Sequence, residues 1–336
     1  MRKPKDNNPV SIKEIAKLAG VSVATVSKVL NNKGNFSQET REKIFKLAEE
    51  LNYQTNMIAR SLRVKKSGWI GVIVPDITNE FFALLVLHIE SLCFNYGYTV
   101  FVCNTNEEKE KENKYLKELQ ARGVDGVIYI AGQTDIPQGL LQKELPIVCI
   151  DRRPKNIENV VIIESENYKG GYIATEELIK KGCKRIVILK DRRRVSTVED
   201  RFRGYMNALK DNGIEVDESL IVNVNVSFEE GRKAILELIN KKVEFDGIFA
   251  CTDWLAIGAL VALKEQGIEV PQQVKIVGFD DISIARHSYP AITTVRQDVK
   301  QMGEIAVNAL IKMIDGKKVS TSHVYVPVEL VRRSST

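Results

Sequence analysis

The sequence predicts a short all-α unit joined to an α/β body of two doubly wound lobes, and three observations predict it. Apolar residues recur at helical spacing up to about residue 51, whereas from Trp69 onward apolar runs alternate with amphipathic helical stretches. The stretch after residue 68 is too long for one six-stranded doubly wound sheet, so two similar lobes facing across a cleft are the simplest arrangement. Charge divides at the same place: residues 1–67 carry 14 Lys and Arg against 6 Asp and Glu, and the remainder carries 35 against 38. A basic front on a slightly acidic body suits a phosphate-binding module, because releasing condensed counterions drives nucleic-acid affinity. A solvated basic tail would give the same count, so charge alone leaves both readings open.

The elements of the front unit follow in order. Ser11-Ile-Lys-Glu14 forms an S-x-x-E capping box, in which the Ser11 hydroxyl accepts from the Glu14 amide while that carboxylate reaches back. Ile12, Ile15, Ala16 and Ala19 then share a helical face, and Gly20 provides a left-handed stop. Ser22 caps a second helix over Val23–Leu30, with Val26, Val29 and Leu30 inward, ended by Asn31, Asn32 and Gly34. A third helix is expected over Thr40–Leu51, with Ile44, Leu47, Ala48 and Leu51 inward. A tight Gly-Val-Ser corner between the first two helices makes a helix-turn-helix, whose second helix enters the major groove. Val23, Ala24, Thr25, Ser27 and Lys28 are expected outward on that helix. Val23 and Ala24 suit thymine methyls, Lys28 a guanine edge, and Ser22, Thr25 and Ser27 phosphates. A helical hairpin with these residues merely solvated has the same spacing.

The segment IKEIAKLAGVSVATVSKVLNNKGNFSQETREKIFKLAEELNYQTNMIARSLR resembles the headpiece of the LacI/GalR family from end to end, including the A-x-x-A-G-V-S-x-x-T-V-S-x-V-L-N run and the N-x-x-A-R-S-L hinge. The resemblance implies a bacterial sugar-responsive repressor that binds pseudo-palindromic double-stranded operator DNA as a homodimer. It makes Val23, Ala24 and Lys28 the main base-facing positions, with Asn31 and Asn56 in the DNA-contacting set. It also makes Asn56–Arg63 a hinge helix, with Leu62 wedged into the minor groove. Many members carry Arg where this chain has Lys28, which puts a bidentate guanine contact in question. On its own chemistry, a helix of under three turns capped by Asn56 is too short to be stable alone in water. DNA and a partner hinge would order it, Leu62 unstacking a base step while Arg60 and Arg63 approach phosphates. A plain linker is the alternative.

In the body, Ile70–Val74, Thr99–Cys103, Gly126–Ile130, Ile147–Ile150, Arg185–Leu189, Gly247–Cys251 and Lys275–Phe279 read as parallel strands buried on both faces. Phe81–Tyr96, Glu108–Arg122, Tyr168–Lys181 and Trp254–Gln266 read as helices between them. The anchors IGVIVPDITNEFF, GYTVFVCNT, RGVDGVIY, CTDWLAIGALVALKEQGIEVPQQVKIVGFDDI, PAITTVRQD and PVELVRRSS resemble the LacI/GalR core, itself similar to periplasmic sugar-binding proteins. That likeness implies a DNA-binding domain over 1–55, a hinge and linker over 56–67, an N-lobe of 68–165 with 295–323, and a C-lobe of 166–294 with 324–336. Three crossing strands join the lobes. The leucine-rich helix of tetrameric members does not follow Thr336, so a dimer is expected.

Ligands of open α/β sheets sit beyond the carboxyl ends of the strands. Phe82, Asp151, Arg152, Asp253, Trp254 and Asp280 occupy such places, and Arg201 is expected to open the helix RFRGYMNAL after a long loop. The resemblance points to the same set, with Phe82 stacking on a sugar ring and Arg201, Asp253 and Asp280 bonding its hydroxyls. A cap or a lobe–lobe ion pair would use the same residue types. The run Asp191-Arg192-Arg193-Arg194 departs from the family and raises an anionic effector, with solvated arginines as the plainer account.

Several classes are excluded. Among the enzymes, His88, His287 and His323 are isolated, and the sequence lacks H-E-x-x-H, G-x-S-x-G, a P-loop and a strand-following G-x-G-x-x-G. Neither a cofactor nor a metal is expected. Cys93, Cys103, Cys149, Cys183 and Cys251 show no C-x-x-C pair and read as reduced core thiols. With neither an apolar leader nor an 18-residue apolar run, the expectation is a cytoplasmic protein without a membrane partner. A sugar-binding receptor would share the body but gives no reason for residues 11–63. A regulator switched by a protein corepressor remains the alternative to a small-molecule switch. In either case the switch is a shift between two core states that permit or forbid hinge pairing.

Overall fold

The computed structural model describes residues 10–30, 34–51, 53, 66–130, 145–154 and 160–336. The positions Asn31, Asn56, Arg60 and Leu62 lie outside them. The chain divides into two compact units, Met1–Ser67 and Gly68–Thr336.

In the first unit, α1 (Ile12–Ala19), α2 (Val23–Leu30) and α3 (Gln38–Glu50) close around Ile15, Ala16, Ala19, Val26, Val29 and Ile44. Helix α1 starts where Ser11 predicts, but the reciprocal box is not formed. The Ser11 side chain makes no cap bond, and its carbonyl accepts from the Glu14 amide at 2.9 Å instead. Gly20 ends the helix at φ 73°, a left-handed turn that lets the chain reverse into α2. Ser22 does cap α2, its Oγ accepting from the Thr25 amide at 3.1 Å. Helix α3 begins two residues before the expected Thr40, because Ser37 is a better cap: its Oγ accepts from the Thr40 amide at 3.3 Å.

The second unit holds two six-stranded sheets of matching order. The first contains β1 (Trp69–Val74), β2 (Thr99–Asn104), β3 (Gly126–Tyr129), β4 (Ile147–Ile150), β5 (Val161–Ser165) and β11 (His323–Val326), in the order β11-β5-β4-β3-β1-β2, all parallel. The second contains β6 (Ile186–Asp191), β7 (Ile221–Val224), β8 (Gly247–Ala250), β9 (Lys275–Asp280), β10 (Thr293–Gln297) and β12 (Val328–Val331), in the order β12-β10-β9-β8-β6-β7. Only β12 is antiparallel to its neighbour. Strand β2 corrects one expectation: it is an edge strand, exposed at Thr99, Phe101 and Val102 rather than buried on both faces.

Side-chain alternation sorts each sheet onto two cores. In the first lobe Ile70, Val72 and Val74 face α4 (Glu80–Asn95) and α10 (Val299–Ile314), while Ile73 faces α5 (Lys109–Ala121). In the second, Val187 and Leu189 face α8 (Phe228–Asn240) and α9 (Asp253–Glu265). Ile186 and Ile188 face α6 (Asn167–Lys180) and α7 (Ser196–Asp211). Four cysteines are buried and Cys103 is half-buried; burial pushes the Cys93 thiol up to about 12 and Cys183 up to about 11. The chain passes between sheets three times, after β5, after β10 and between β11 and β12. The boundaries expected at 294/295 and 323/324 fall inside β10 and β11, each of which belongs whole to one sheet.

Helices α6 and α7 approach so closely that a Cβ on Gly171 would collide with the Arg201 carbonyl, and one on Gly204 with the Tyr168 carbonyl. This contact fixes where Arg201 stands. Gly204→Val should therefore destabilise the core by about 1–3 kcal/mol, since overpacking forces backbone apart. A urea midpoint equal to that of the parent chain would show that the helix pair yields freely.

Candidate nucleic-acid interface and ligand cleft

On α2, Val23 (39% exposed), Ala24 and Lys28 face solvent, and Thr25 is half-buried. The Ser22 hydroxyl is exposed but shared between the helix cap and the Thr25 hydroxyl at 2.9 Å. Ser27 is a correction: it is buried, because it stands beside Val26 and one turn before Leu30, on the inward stripe. The outward face is therefore Val23, Ala24 and Lys28, flanked by Ser22 and Thr25: small side chains and one cation, which permit close approach to a groove wall.

In the second unit a cavity of about 550 Å³ lies between the lobes, at the carboxyl ends of β1, β4, β6, β8 and β9. The strand orders reverse at β1 and β6, so the cavity occupies the switch point of each sheet. Six of the seven expected residues line it: Phe82, Asp151, Arg152, Arg201, Trp254 and Asp280.

Arg201 and Asp280 are tied by hydrogen bonds within the second lobe. Arg201 is not the first residue of its helix, since α7 begins at Ser196; it lies in the second turn, 5% exposed. Its Nε donates to Asn167 Oδ1 at 2.8 Å, Nη1 donates to the Cys251 carbonyl at 2.7 Å, and its plane lies 3.6 Å over the Phe279 ring. Asp280, 3.8 Å from Arg201, accepts from Gln297 Nε2 at 2.7 Å. Burial raises its carboxyl to about 7 against the opposing pull of Arg201. Burial also raises Asp151, and its Oδ1 has no hydrogen-bond partner among the described residues. Glu107, Asp151 and Asp280 all carry positive φ (60°, 70° and 112°), a backbone strain that concentrates at ligand sites.

Asp253 is the seventh, and it does not reach the cavity. It is fully buried, with Oδ2 accepting from the Ile282 amide at 2.9 Å and Oδ1 from the Thr294 hydroxyl at 2.6 Å. It ties the start of α9 to β10, in a space that only Gly278 leaves open. Burial holds its carboxyl well above the usual carboxylate range.

The sequence reading missed Asp76, Thr78, Asn79, Glu107, Thr197 and the Asn225–Phe228 turn, which also line the cavity, while Asp191 and Arg193 in the lining come from the run it had raised. Of the arginine run, Arg192 and Arg194 are exposed and only Arg193 enters the lining. Arg193 is paired with Asp191 of its own lobe and, at 2.6 Å, with Glu107 of the other. Glu107 also grips Arg152 through two bonds of 2.7 and 2.9 Å. A further tie joins the lobes behind the cleft, where Arg153 meets Asp200 at 2.8 Å and buried Glu164 at 3.1 Å. His323, isolated in sequence, lies 2.6 Å from Glu164, whose carboxyl burial raises to about 8.

Among the described residues no group of three or more His, Cys, Asp or Glu is placed to hold a metal ion, and no helix is long and apolar enough to cross a membrane.

Residues 11–56 match the family described as bacterial regulatory proteins, lacI family, and residues 175–336 match a periplasmic binding protein-like domain. The chain is 38% identical to the ribose operon repressor of Halalkalibacterium halodurans, over 97% of each chain. Among solved structures it is similar to the lac repressor dimer bound to operator and the anti-inducer ONPF, with a TM-score of 0.86 at 26% identity over 98% of this chain and 99% of that one. It is also similar to a LacI family transcriptional regulator from Enterococcus faecium with bound ribose, with a TM-score of 0.73 at 29% identity over 80% of this chain and 98% of that one.

Proposed function

The chain belongs to the lacI family of bacterial regulatory proteins, and from that premise we propose that it is a cytoplasmic transcription repressor whose grip on operator DNA is set by a neutral, polyhydroxylated effector in the interlobe cleft. The observation that carries the reading is the composition of the cavity wall. A planar guanidinium (Arg201) and a carboxylate (Asp280) stand together beside the aromatic rings of Phe82 and Trp254, the combination that holds vicinal hydroxyls against an apolar ring face. The wall holds five carboxylates, Asp76, Glu107, Asp151, Asp191 and Asp280, against three guanidiniums. With Asp151 and Asp280 raised by burial, Asp76, Glu107 and Asp191 still match the three guanidiniums, so the wall keeps no net positive charge for an anion, which supports a neutral sugar over a sugar acid. Ribose, bound to one similar structure and named in one relative's operon, is the first compound to try.

The protein works as a homodimer on a pseudo-palindromic site. We assign the pairing surface of the core to the apolar stripe Leu84, Leu87 and Phe94 on α4, continued by Val102 on the edge strand β2; Leu87 is 58% and Phe94 73% exposed. An apolar stripe of this kind on a solvent-facing helix marks an association surface. The segment Asn56–Arg63, with Leu62 as the minor-groove wedge, completes the reading, and it lies outside the described residues. The effector acts by differential affinity for two lobe arrangements, and the arrangement in the structure is tied by Glu107–Arg193, Arg153–Asp200 and Glu80–Ser283 among others.

The test is a thermal-shift screen of neutral sugars on the full chain, followed by duplex-binding titration at several salt concentrations with the sugar that responds. A ligand bound only by the folded state raises the melting temperature with its concentration. The expected outcome is a saturable shift and a matching change in affinity for one palindromic duplex. No shift with any sugar, together with a shift for a phosphorylated compound, would overturn the effector class.

A further inference from the structure

The two arginines that Glu107 engages stand on opposite walls of the cleft. Arg152 follows β4 in the first lobe, and its guanidinium lies 5.6 Å over the Phe82 ring. Arg193 follows β6 in the second lobe. Both line the cavity, and a guanidinium fork inside such a cavity is a ready receptor for phosphate or carboxylate. Glu107 fills that role itself. Its two oxygens take both terminal nitrogens of Arg152, at 2.7 and 2.9 Å, and Oε1 also takes Nη1 of Arg193 at 2.6 Å. The turn that carries it runs through Asn106 and Glu107 at φ 52° and 60°, a left-handed pair of non-glycine residues that aims the carboxylate inward at the cost of strain. Its Oε oxygens therefore sit where the oxygens of an incoming anion would bind.

Resting on the reading of a neutral effector in this cleft, we propose that Glu107 is the residue that sets charge selectivity: a resident carboxylate that occupies the Arg152 fork and the Nη1 of Arg193, whose Nε and Nη2 Asp191 already holds, and excludes phosphorylated or acidic sugars. The exclusion has two parts. An entering phosphate must displace a bidentate, part-buried ion pair, and it must also approach a wall whose other guanidiniums, Arg193 and Arg201, already face Asp191 and Asp280. Removing the charge of Glu107 while keeping its shape reverses the first part and leaves the second in place.

Glu107→Gln and Glu107→Asp separate charge from shape. Inorganic phosphate and ribose 5-phosphate are titrated into the full-length parent and both variants, with binding followed by calorimetry and melting temperature; ribose is titrated in parallel. The expected result is that Glu107→Gln binds both anions about tenfold or more tighter than the parent, the size of one charge-assisted hydrogen bond. Glu107→Asp should reject them as the parent does. Equal anion affinity in the parent and Glu107→Gln would overturn the proposal, as would a parent that binds ribose 5-phosphate as tightly as ribose. That last comparison needs no variant, so the proposal can still be overturned if Glu107→Gln does not fold. The difference in anion affinity between the parent and Glu107→Gln reports on Glu107, whereas a parent indifferent to every neutral sugar would fault the effector reading instead.

Discussion

Arg201→Ala is expected to weaken effector binding by about 3 kcal/mol, roughly a hundredfold, and to leave the DNA response to effector undetectable at concentrations that saturate the parent. The size follows from what the side chain holds. Arg201 is 5% exposed, donates to Asn167 and the Cys251 carbonyl, covers the Phe279 ring, and is the cation that offsets burial at Asp280. Truncation leaves two acceptors facing a void and moves the Asp280 carboxyl, already at about 7, further upward, so that it becomes a neutral acid at pH 7. The cavity then loses the Arg201 guanidinium and the neighbouring Asp280 carboxylate together. Arg201→Lys restores charge without the planar fork, and recovery of less than half of the lost free energy is expected. Isothermal titration with the responding sugar reads the loss, and duplex binding without effector checks that the headpiece still functions. A full response in Arg201→Ala would remove Arg201 from the site.

How far such a site can be read from residues alone is shown by comparing Arg201 and Asp280 with Asp253. Asp253 and Asp280 sit near the carboxyl ends of apolar strands, and that position brought them forward together, while Arg201 came forward as the expected opening of a helix after a long loop. Position alone does not distinguish a carboxylate that faces the ligand from one that serves as an internal strut. Asp253 turned inward because Gly278 has no Cβ and because the Thr294 hydroxyl and the Ile282 amide offered it bonds. Glu107 and Arg193 raised the opposite difficulty: each lies in a turn of its own lobe, and their pairing exists only once two sheets face each other. The Asn225–Phe228 turn was missed because β7 is a four-residue edge strand, half exposed and interrupted by Asn223, so it shows no apolar run. Periodicity carried the fold further, since β1, β3, β4, β8 and β9 are buried on both faces and read as unbroken hydrophobic stretches. Strands β10, β11 and β12, with Thr, Arg, Gln, His and Glu among their few residues, do not read this way.

On the headpiece, replacing Val23 and Ala24 by Gln and Asn should cost the parent operator about 2–6 kcal/mol, at about 1–3 kcal/mol for each base pair read, and should create preference for a different half-site. Both residues are exposed on the first turn of α2, and neither is part of the core formed by Val26, Val29 and Ile44. The substitution changes recognition without changing charge, so non-specific affinity and its salt dependence should hold. Lys28→Ala is the complementary change. If Lys28 neutralises a phosphate, the slope of log K against log salt falls by about 0.9 and every duplex weakens alike. If it reads a guanine edge, one operator position relaxes and the slope keeps most of its value. Competition binding against a randomised half-site library at two salt concentrations separates the two effects. Should the Val23 and Ala24 exchange lower specific and non-specific binding by the same factor, α2 would be gripping the backbone rather than reading bases. The small residues of its outward face would then be there for close packing against DNA, not for sequence.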